Sequence, residues 1–256
     1  MKFNNRNIQI GENVEIGKNV KIGDNTIIYD NVIIHDDSII CDNCVIGEPL
    51  VDYYHNQDYT QPKTIIGRMS LIRSHCIIYA GGEFGNNFTT GHRVTIREYT
   101  KIGYHTSIGS YCDLQGKCEI GNYNRFHSYV NIGQKSKTGD YVFIYPFVVL
   151  TNDPTPPSNT LEGVTIGDFS QIAAAAVLLP ATSIGKHCLI SANSVVGGEF
   201  ANNSFIGGAP AKRICDLNKA PLINRETAKR HYPWPYNFDR GMPWQDIGFA
   251  KWKNKQ

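Results

Sequence analysis

Residues 90–126 read TGHRVTIREYTKIGYHTSIGSYCDLQGKCEIGNYNRF, and in them Thr90, Ile96, Ile102, Ile108, Leu114, Ile120 and Phe126 stand six apart. The step is older than this stretch. It runs through Ile10, Ile16, Ile22, Ile28, Ile34, Ile40 and Ile46, then through Ile66, Ile72, Ile78 and Phe84 into Thr90. It leaves through Ile132, Thr138, Ile144 and Leu150 and resumes at Ile166, Ile172, Leu178, Ile184, Ile190 and Val196. Only Thr90 and Thr138 in this series are not large and apolar. A helical period of 3.6 cannot hold a six-residue register over such a length, and a plain alternating strand has no reason to obey one. A fixed internal repeat signals a solenoid. Three six-residue faces close one coil, and coils stacked at the strand spacing of about 4.8 Å give about nine coils and a rod of roughly 45 Å. The fold expected is all-β, a parallel β-helix.

Two residues before each rung lies a second inward position, mostly small: Val14, Val20, Thr26, Val32, Ser38, Cys44, Ser70, Cys76, Cys112, Cys118, Ala176, Thr182 and Cys188. Five of the seven cysteines fall there. Free cysteine is among the most buried residue types, so these thiols read as small core residues before they read as nucleophiles or metal ligands.

The register breaks twice, between Ile46 and Ile66 and between Leu150 and Ile166. Stepping by 18 puts Ile28, Ile46, Ile78, Ile96, Leu114, Ile132 and Leu150 in one column, and both insertions follow a rung of that column. Loops 48–62 and 152–163 therefore leave the rod at one corner, five coils or roughly 24 Å apart. Long loops in a compact fold are commonly functional, so the two are read as walls of a site. Between them the corner carries Tyr79 and Ala80, then Arg97, Glu98 and Tyr99, then Gln115 and Lys117, then Gln134 and Lys135, and last Asn152 and Asp153. The residue after each rung is expected to turn the corner at positive φ, which suits Gly67, Gly85, Gly103, Gly121 and Gly139. On that reading Arg73, Tyr79, Arg97, Gln115, His127, Tyr145 and Thr151 hold the same position at a conformational cost.

The remaining composition excludes more than it proposes. In 256 residues, 25 basic side chains face 23 acidic ones, which gives no electrostatic case for a nucleic-acid or membrane partner. The longest apolar run, Ile172 to Leu179, is far short of the roughly 20 residues of a membrane span. The opening MKFNNRNIQI has no apolar signal core, and the expected compartment is the cytoplasm.

Four segments carry a resemblance. They are TGHRVTIRE from Thr90 to Glu98, IGQKSK from Ile132 to Lys137, TNDPTPPS from Thr151 to Ser158, and GAPAK from Gly208 to Lys212. With EPLVDYY from Glu48 to Tyr54, they make residues 8–213 resemble the hexapeptide-repeat acyltransferases. The likeness is nearest to those that N-acetylate dTDP-linked 3-amino-3,6-dideoxyhexoses.

The resemblance implies a left-handed coil, against the usual crossover hand, and a homotrimer with sites between subunits. It implies acetyl-CoA as donor and a nucleotide-sugar amine as acceptor, with no metal. It places pantetheine beside Ala173, Ala174, Ala175 and Ala176, and the adenine end by Gly208, Pro210, Ala211 and Lys212. His127, with Glu98 and Asn152, is the expected catalytic set. His92, Arg93, Arg97, Tyr53, Tyr54, Gln134 and Asp153 are the expected acceptor contacts, the aromatics of the first loop and His55 as stacking surfaces for a base. Arg73, Arg93 and Arg97 suit a pyrophosphate as fork donors.

Two other classes use such a fold. A γ-class carbonic anhydrase needs a histidine pair five residues apart, but Arg97 follows His92 and Ile132 follows His127 at that step. A non-catalytic scaffold needs neither the paired loops nor the GAPAK segment. An acetyltransferase acting on another small acceptor also remains open. Residues 1–213 are expected to be the β-helix and residues 214–256 a partly helical extension, with a short helix ending over Thr227–His231 and the Tyr232–Tyr236 stretch crossing a coil.

Cyclic closure about a threefold axis leaves no open interface. Light scattering at micromolar concentration is expected to give a trimer mass; a monomer mass would overturn that assembly.

Overall fold

The computed structural model describes residues 3–225 and 227–255. The chain winds as a left-handed parallel β-helix whose three sheets hold 10, 10 and 11 strands, most of them two residues long. Face A carries the column Ile10, Ile28, Ile46, Ile78, Ile96, Leu114, Ile132, Leu150, Leu178 and Val196. Face B carries the column of Ile16, and face C that of Ile22. The coil is 18 residues wherever no loop intervenes, as in Ile96 paired with Leu114 and Ile102 with Ile120. The stack extends about one coil past the repeat: Phe200 and Ile206 close faces B and C out of the six-residue step. Strand Ala211–Asp216 then returns antiparallel along Ser204–Gly208.

Rung side chains from Ile22 onward fill one continuous interior, and Ile28, Ile34, Ile40, Ile66, Ile96 and Leu114 are fully buried. The small position beside them does more than save space. Every coil turns three corners, and at several of them an inward carbonyl accepts from this position. Thr106 Oγ1 donates to Gly121 O at 2.8 Å, Ser170 Oγ to Gly185 O at 2.8 Å, and Asn124 Nδ2 to Gly139 O at 2.9 Å. The thiols do the same: Cys76 to Gly91 O at 3.2 Å, Cys112 to His127 O at 3.0 Å, and Cys188 to Ala201 O at 3.3 Å. These cysteines are buried donors that satisfy corner carbonyls, as buried polar backbone requires.

The corner geometry corrects the conformational expectation. Positive φ falls three residues after the rung, not one. In the first coils that position is Asn13, Asn19, Asn25, Asn31 and Asn43, the residue type that tolerates it best after glycine. Later it is Tyr99, Tyr111, Tyr123, Tyr129, Tyr141, Phe147 and Phe169. Gly67, Gly85, Gly103, Gly121 and Gly139, one residue after the rung, have ordinary φ and answer to crowding: a Cβ on Gly121 would lie 2.4 Å from Gly139 O in the next coil. Arg73, Tyr79, Arg97, Gln115, His127, Tyr145 and Thr151 therefore hold no strained backbone.

Because the left-handed residues recur every coil, their rings stack. On the edge between faces B and C, His105, Tyr123, Tyr141, Phe169 and His187 form a ladder with centroids 4.7–5.2 Å apart. The chain beyond the helix covers it. Trp234, Met242, Trp244 and Phe249 are buried against Tyr141 and Phe143, and Trp234 Nε1 donates to Phe169 O at 2.9 Å. On the edge between faces C and A, Tyr111, Tyr129 and Phe147 stack at 5.0 and 5.1 Å and stay exposed. The extension is less helical than expected. Residues 227–231 form an antiparallel bridge with Ile223 through Arg230, and the α-helix is Phe249–Lys253.

Ser170 is buried, donates to Gly185 O and accepts from Cys188 N at 3.0 Å. Ser170→Ala strands both groups and is expected to lower stability by about 1–3 kcal/mol. Ser170→Cys, which reproduces the thiol donors of other coils, should lose less. Urea denaturation of the two variants checks the order, and equal losses would contradict the carbonyl-satisfying role.

Candidate functional site

The expected site residues sort onto two edges of the rod. Arg97, Glu98, Gln134, Asn152 and Asp153, with Tyr53 and Tyr54 in the first loop, lie on the edge between faces A and B. His92, Arg93, His127, residues 173–176 and the turn at 208–211 lie on or beside the edge between C and A. Face A separates them, roughly 20 Å of extended chain if six residues are counted. Within one chain the two groups do not meet.

On the A–B edge the first loop forms a 3-10 turn, Val51–Tyr54, with Tyr53 and Tyr54 exposed. It is tied to its own base: Gln61 Nε2 donates to Gly47 O at 2.6 Å, Tyr59 Oη to Gln61 Oε1 at 2.6 Å, and Tyr54 Oη to Glu48 Oε1 at 3.2 Å. Below it Arg97 grips Glu98 with two hydrogen bonds of 3.0 and 3.2 Å and lies over the Tyr79 ring at 5.6 Å. Glu98 is buried, so this guanidinium neutralises it and holds its orientation. Asp113, on face A beside Arg97, has its carboxyl raised above the usual range chiefly by burial.

The second loop spends Asp153 on itself. Its carboxylate accepts from Thr155 N, Ser158 N and Ser158 Oγ at 2.7–3.0 Å, and the Ser158 hydroxyl first of all holds its pKa below the usual value. Asp153 thereby orders its own loop. Asn152 uses its carbonyl to accept from Glu162 N at 2.8 Å, and its side-chain amide has no partner among the described residues. A groove of about 700 Å³ runs along this loop, lined by Thr151, Asn152, Pro154, Leu179, Pro180 and Gly198. It lies on the C-terminal side of the second loop, outside the strip between the two loops where the cleft was expected.

On the C–A edge His127 is exposed and stacked on Tyr145, with centroids 4.8 Å apart. Desolvation first, then the charge of Arg125, holds its pKa below the ordinary histidine value. It is therefore mostly neutral at pH 7 and able to accept a proton. Two coils on, residues 173–176 leave a shallow step where the ladder drops from Phe147 to Ala175. The next coils continue it with Ser191, Asn193 and Gly207, ending in the exposed turn of Gly208 and Pro210. Lys212 and Ala211 follow on the antiparallel strand. From His127 to this turn is four coils, roughly 19 Å.

Sequence reasoning missed the wall on face C. A groove of about 270 Å³ lies beside His127, and its other side is Phe238 and Arg240 from the extension. Nothing periodic signals those two residues. Among the described residues no cluster of three histidine, cysteine, aspartate or glutamate side chains could hold a metal ion, and no helix is long and apolar enough to cross a membrane.

Comparison with known proteins agrees with the architecture. Residues 19–48 and 163–198 match the bacterial transferase hexapeptide family, described by six repeats. The chain is 29% identical over 165 residues to WbbJ of Escherichia coli K12, whose provisional name is a lipopolysaccharide biosynthesis O-acetyl transferase. That match covers 58% of this chain and 79% of WbbJ. It is 35% identical over 114 residues to YJL218W of Saccharomyces cerevisiae, provisionally named an acetyltransferase, over 41% of this chain and 58% of that one. The solved Arabidopsis UDP-N-acetylglucosamine acyltransferase shares the fold at a TM-score of 0.58 and 16% identity, covering 82% of this chain and 72% of its own.

Deleting residues 49–61 removes Tyr53 and Tyr54 but none of the C–A edge. It is expected to raise the acceptor KM severalfold and leave coenzyme A binding nearly unchanged. Calorimetry that finds coenzyme A binding lost instead would assign the loop another job.

Proposed function

We propose that this chain, a hexapeptide-repeat acetyltransferase, moves the acetyl group of acetyl-CoA to the amine of a nucleotide-linked amino-dideoxy sugar. The observation that carries the reading is the division of the rod into two edges. The C–A edge offers a neutral histidine, small side chains two coils along and an open turn four coils along, which suits a thin pantetheine arm lying close to the backbone. The A–B edge offers loops, aromatic rings, a carboxylate held by arginine and a free amide, which suits a hydroxylated sugar and its base. In a homotrimer the C–A edge of one subunit faces the A–B edge of its neighbour, and donor meets acceptor there. The exposed Tyr111, Tyr129 and Phe147 ladder supplies an apolar seat for that neighbour.

The chemistry requires little of the protein. A sugar amine with a pKa near roughly 8 is partly neutral at pH 7. Its lone pair attacks the thioester carbonyl carbon, the C–N bond forms, and the C–S bond breaks. His127 takes the proton from the nitrogen and passes it to the departing thiolate, whose own pKa is about 8.5. Glu98, fixed by Arg97, and the Asn152 amide orient the hexose.

The similarity to WbbJ favours a second reading, in which the acceptor is a sugar hydroxyl. A hydroxyl is a far weaker nucleophile until deprotonated, so the base is then indispensable. One variant separates the two. Removal of a general base costs about 10²–10⁴ in rate. His127→Asn should reduce kcat near the low end of that range for an amine and near the high end for a hydroxyl, with coenzyme A affinity preserved. In the wild type kcat should fall as pH drops through the histidine pKa. Because that pKa is depressed, the acidic limb should lie below about 6.5. It should vanish in the variant. An unchanged profile and unchanged kcat would leave His127 only a packing role against Tyr145.

A further inference from the structure

The groove on face C has the features of an anion site. Arg125 projects from strand Arg125–Phe126, and Arg240 comes from the extension. The Arg125 guanidinium sits 5.6 Å from the ring centres of both Phe143 and Phe238, and Arg240 lies 5.9 Å from Phe238. One Arg125 nitrogen donates to Arg240 O at 2.6 Å. The chain turns so tightly over it that a Cβ on Gly241, at φ +70°, would stand 2.5 Å from Arg125 Nη2. The guanidinium is thus fixed before any ligand arrives. Of its five N–H donors, one is used.

What is missing is a counter-charge. Neither Arg125 nor Arg240 forms an ion pair with a carboxylate of the described residues, whereas Arg68, Arg97 and Arg213 each do. Two cations drawn together in a partly desolvated groove repel, and the Arg125 charge also disfavours protonation of His127 on the same rim. A dianion in the groove would relieve both effects and take up the unused donors as a fork. The walls, Phe143, Tyr145 and Phe238, are flat and apolar, so they would accept an adjoining ring or sugar face.

We infer that this groove binds a phosphate-bearing ligand, held by Arg125 and Arg240 beside His127. The chain holds the site only because residues beyond the β-helix return over face C. Two sources have this chemistry, the pyrophosphate of a nucleotide acceptor and the 3′-phosphate of coenzyme A. The inference does not depend on which acceptor is acetylated, since its test reads binding and not turnover.

Calorimetry and thermal shift at low salt use inorganic pyrophosphate, dTDP, coenzyme A and dephospho-coenzyme A on the full chain. Pyrophosphate should bind the wild type and raise its Tm by mass action. Arg240→Glu should weaken it by about tenfold or more, as when a charge-assisted pair is lost. Arg240→Gln should weaken it less, and both should melt like the wild type without ligand, because Arg240 is exposed. If the variant weakens coenzyme A but not dephospho-coenzyme A, the groove holds the donor's phosphate. If it weakens dTDP and leaves coenzyme A alone, it holds the acceptor's. No binding of any probe to the wild type, or equal pyrophosphate affinity in wild type and Arg240→Glu, overturns the site.

Discussion

Each coil hangs from the next by parallel backbone hydrogen bonds, and every other feature of the molecule is placed by that pairing. Gly67 N donates to Phe84 O, Gly103 N to Ile120 O, and His127 N to Ile144 O, all at 2.8 Å. Such pairing lets the chain turn a corner only if backbone passes backbone at contact distance. That crowding selects glycine or an outward-directed side chain after each rung, and a small or donor-bearing side chain at many positions two residues before it. It also repeats whatever stands at the left-handed position once per coil. Asparagine, tyrosine and histidine ladders are therefore consequences of the stacking as much as of composition.

The ladders then divide the rod's edges by what covers them. The edge between B and C is sealed by the extension, with Trp234, Trp244 and Phe249 packed on Tyr141 and Phe169. The edge between C and A keeps its rings bare beside His127 and the small residues at 173–176. Face B is spanned by alternating ion pairs, Glu83 with Lys101 and Glu119 with Lys137, at 3.0 and 2.9 Å. Exposed pairs of this kind contribute little to stability.

Much of this was legible in the residues themselves. The six-residue step is a burial pattern, and Ile96 or Ile132 announces it without any knowledge of the fold. The shared corner of the two loops followed from counting. The reason for the glycines did not: Gly121 looks the same in sequence whether it answers to φ or to a neighbouring carbonyl, and Tyr129 carries no mark of its left-handed backbone. The bonds that tie Asp153 to Thr155 and Ser158 leave no trace in the spacing. The arginine pair was invisible because Arg125 belongs to the repeat and Arg240 does not, and no periodicity joins residues whose proximity is set by a returning tail. His127 and Glu98 were both visible as polar residues at corners. That they occupy opposite edges of face A is a matter of winding, which spacing alone gives only after the three columns are sorted.

The span between the two loops is counted in whole coils. Both loops leave the same edge, and the stack between them has a fixed rise of about 4.8 Å per coil. That distance can change only in steps: a gain or loss of 18 residues moves one loop against the other by a single rise and leaves every edge, column and cavity on its old axis. A partial change would rotate all later side chains to a different face. Divergence in this architecture is thus quantised. The edge behaves as a graduated scale, on which the loop separations of variant chains would differ by integers.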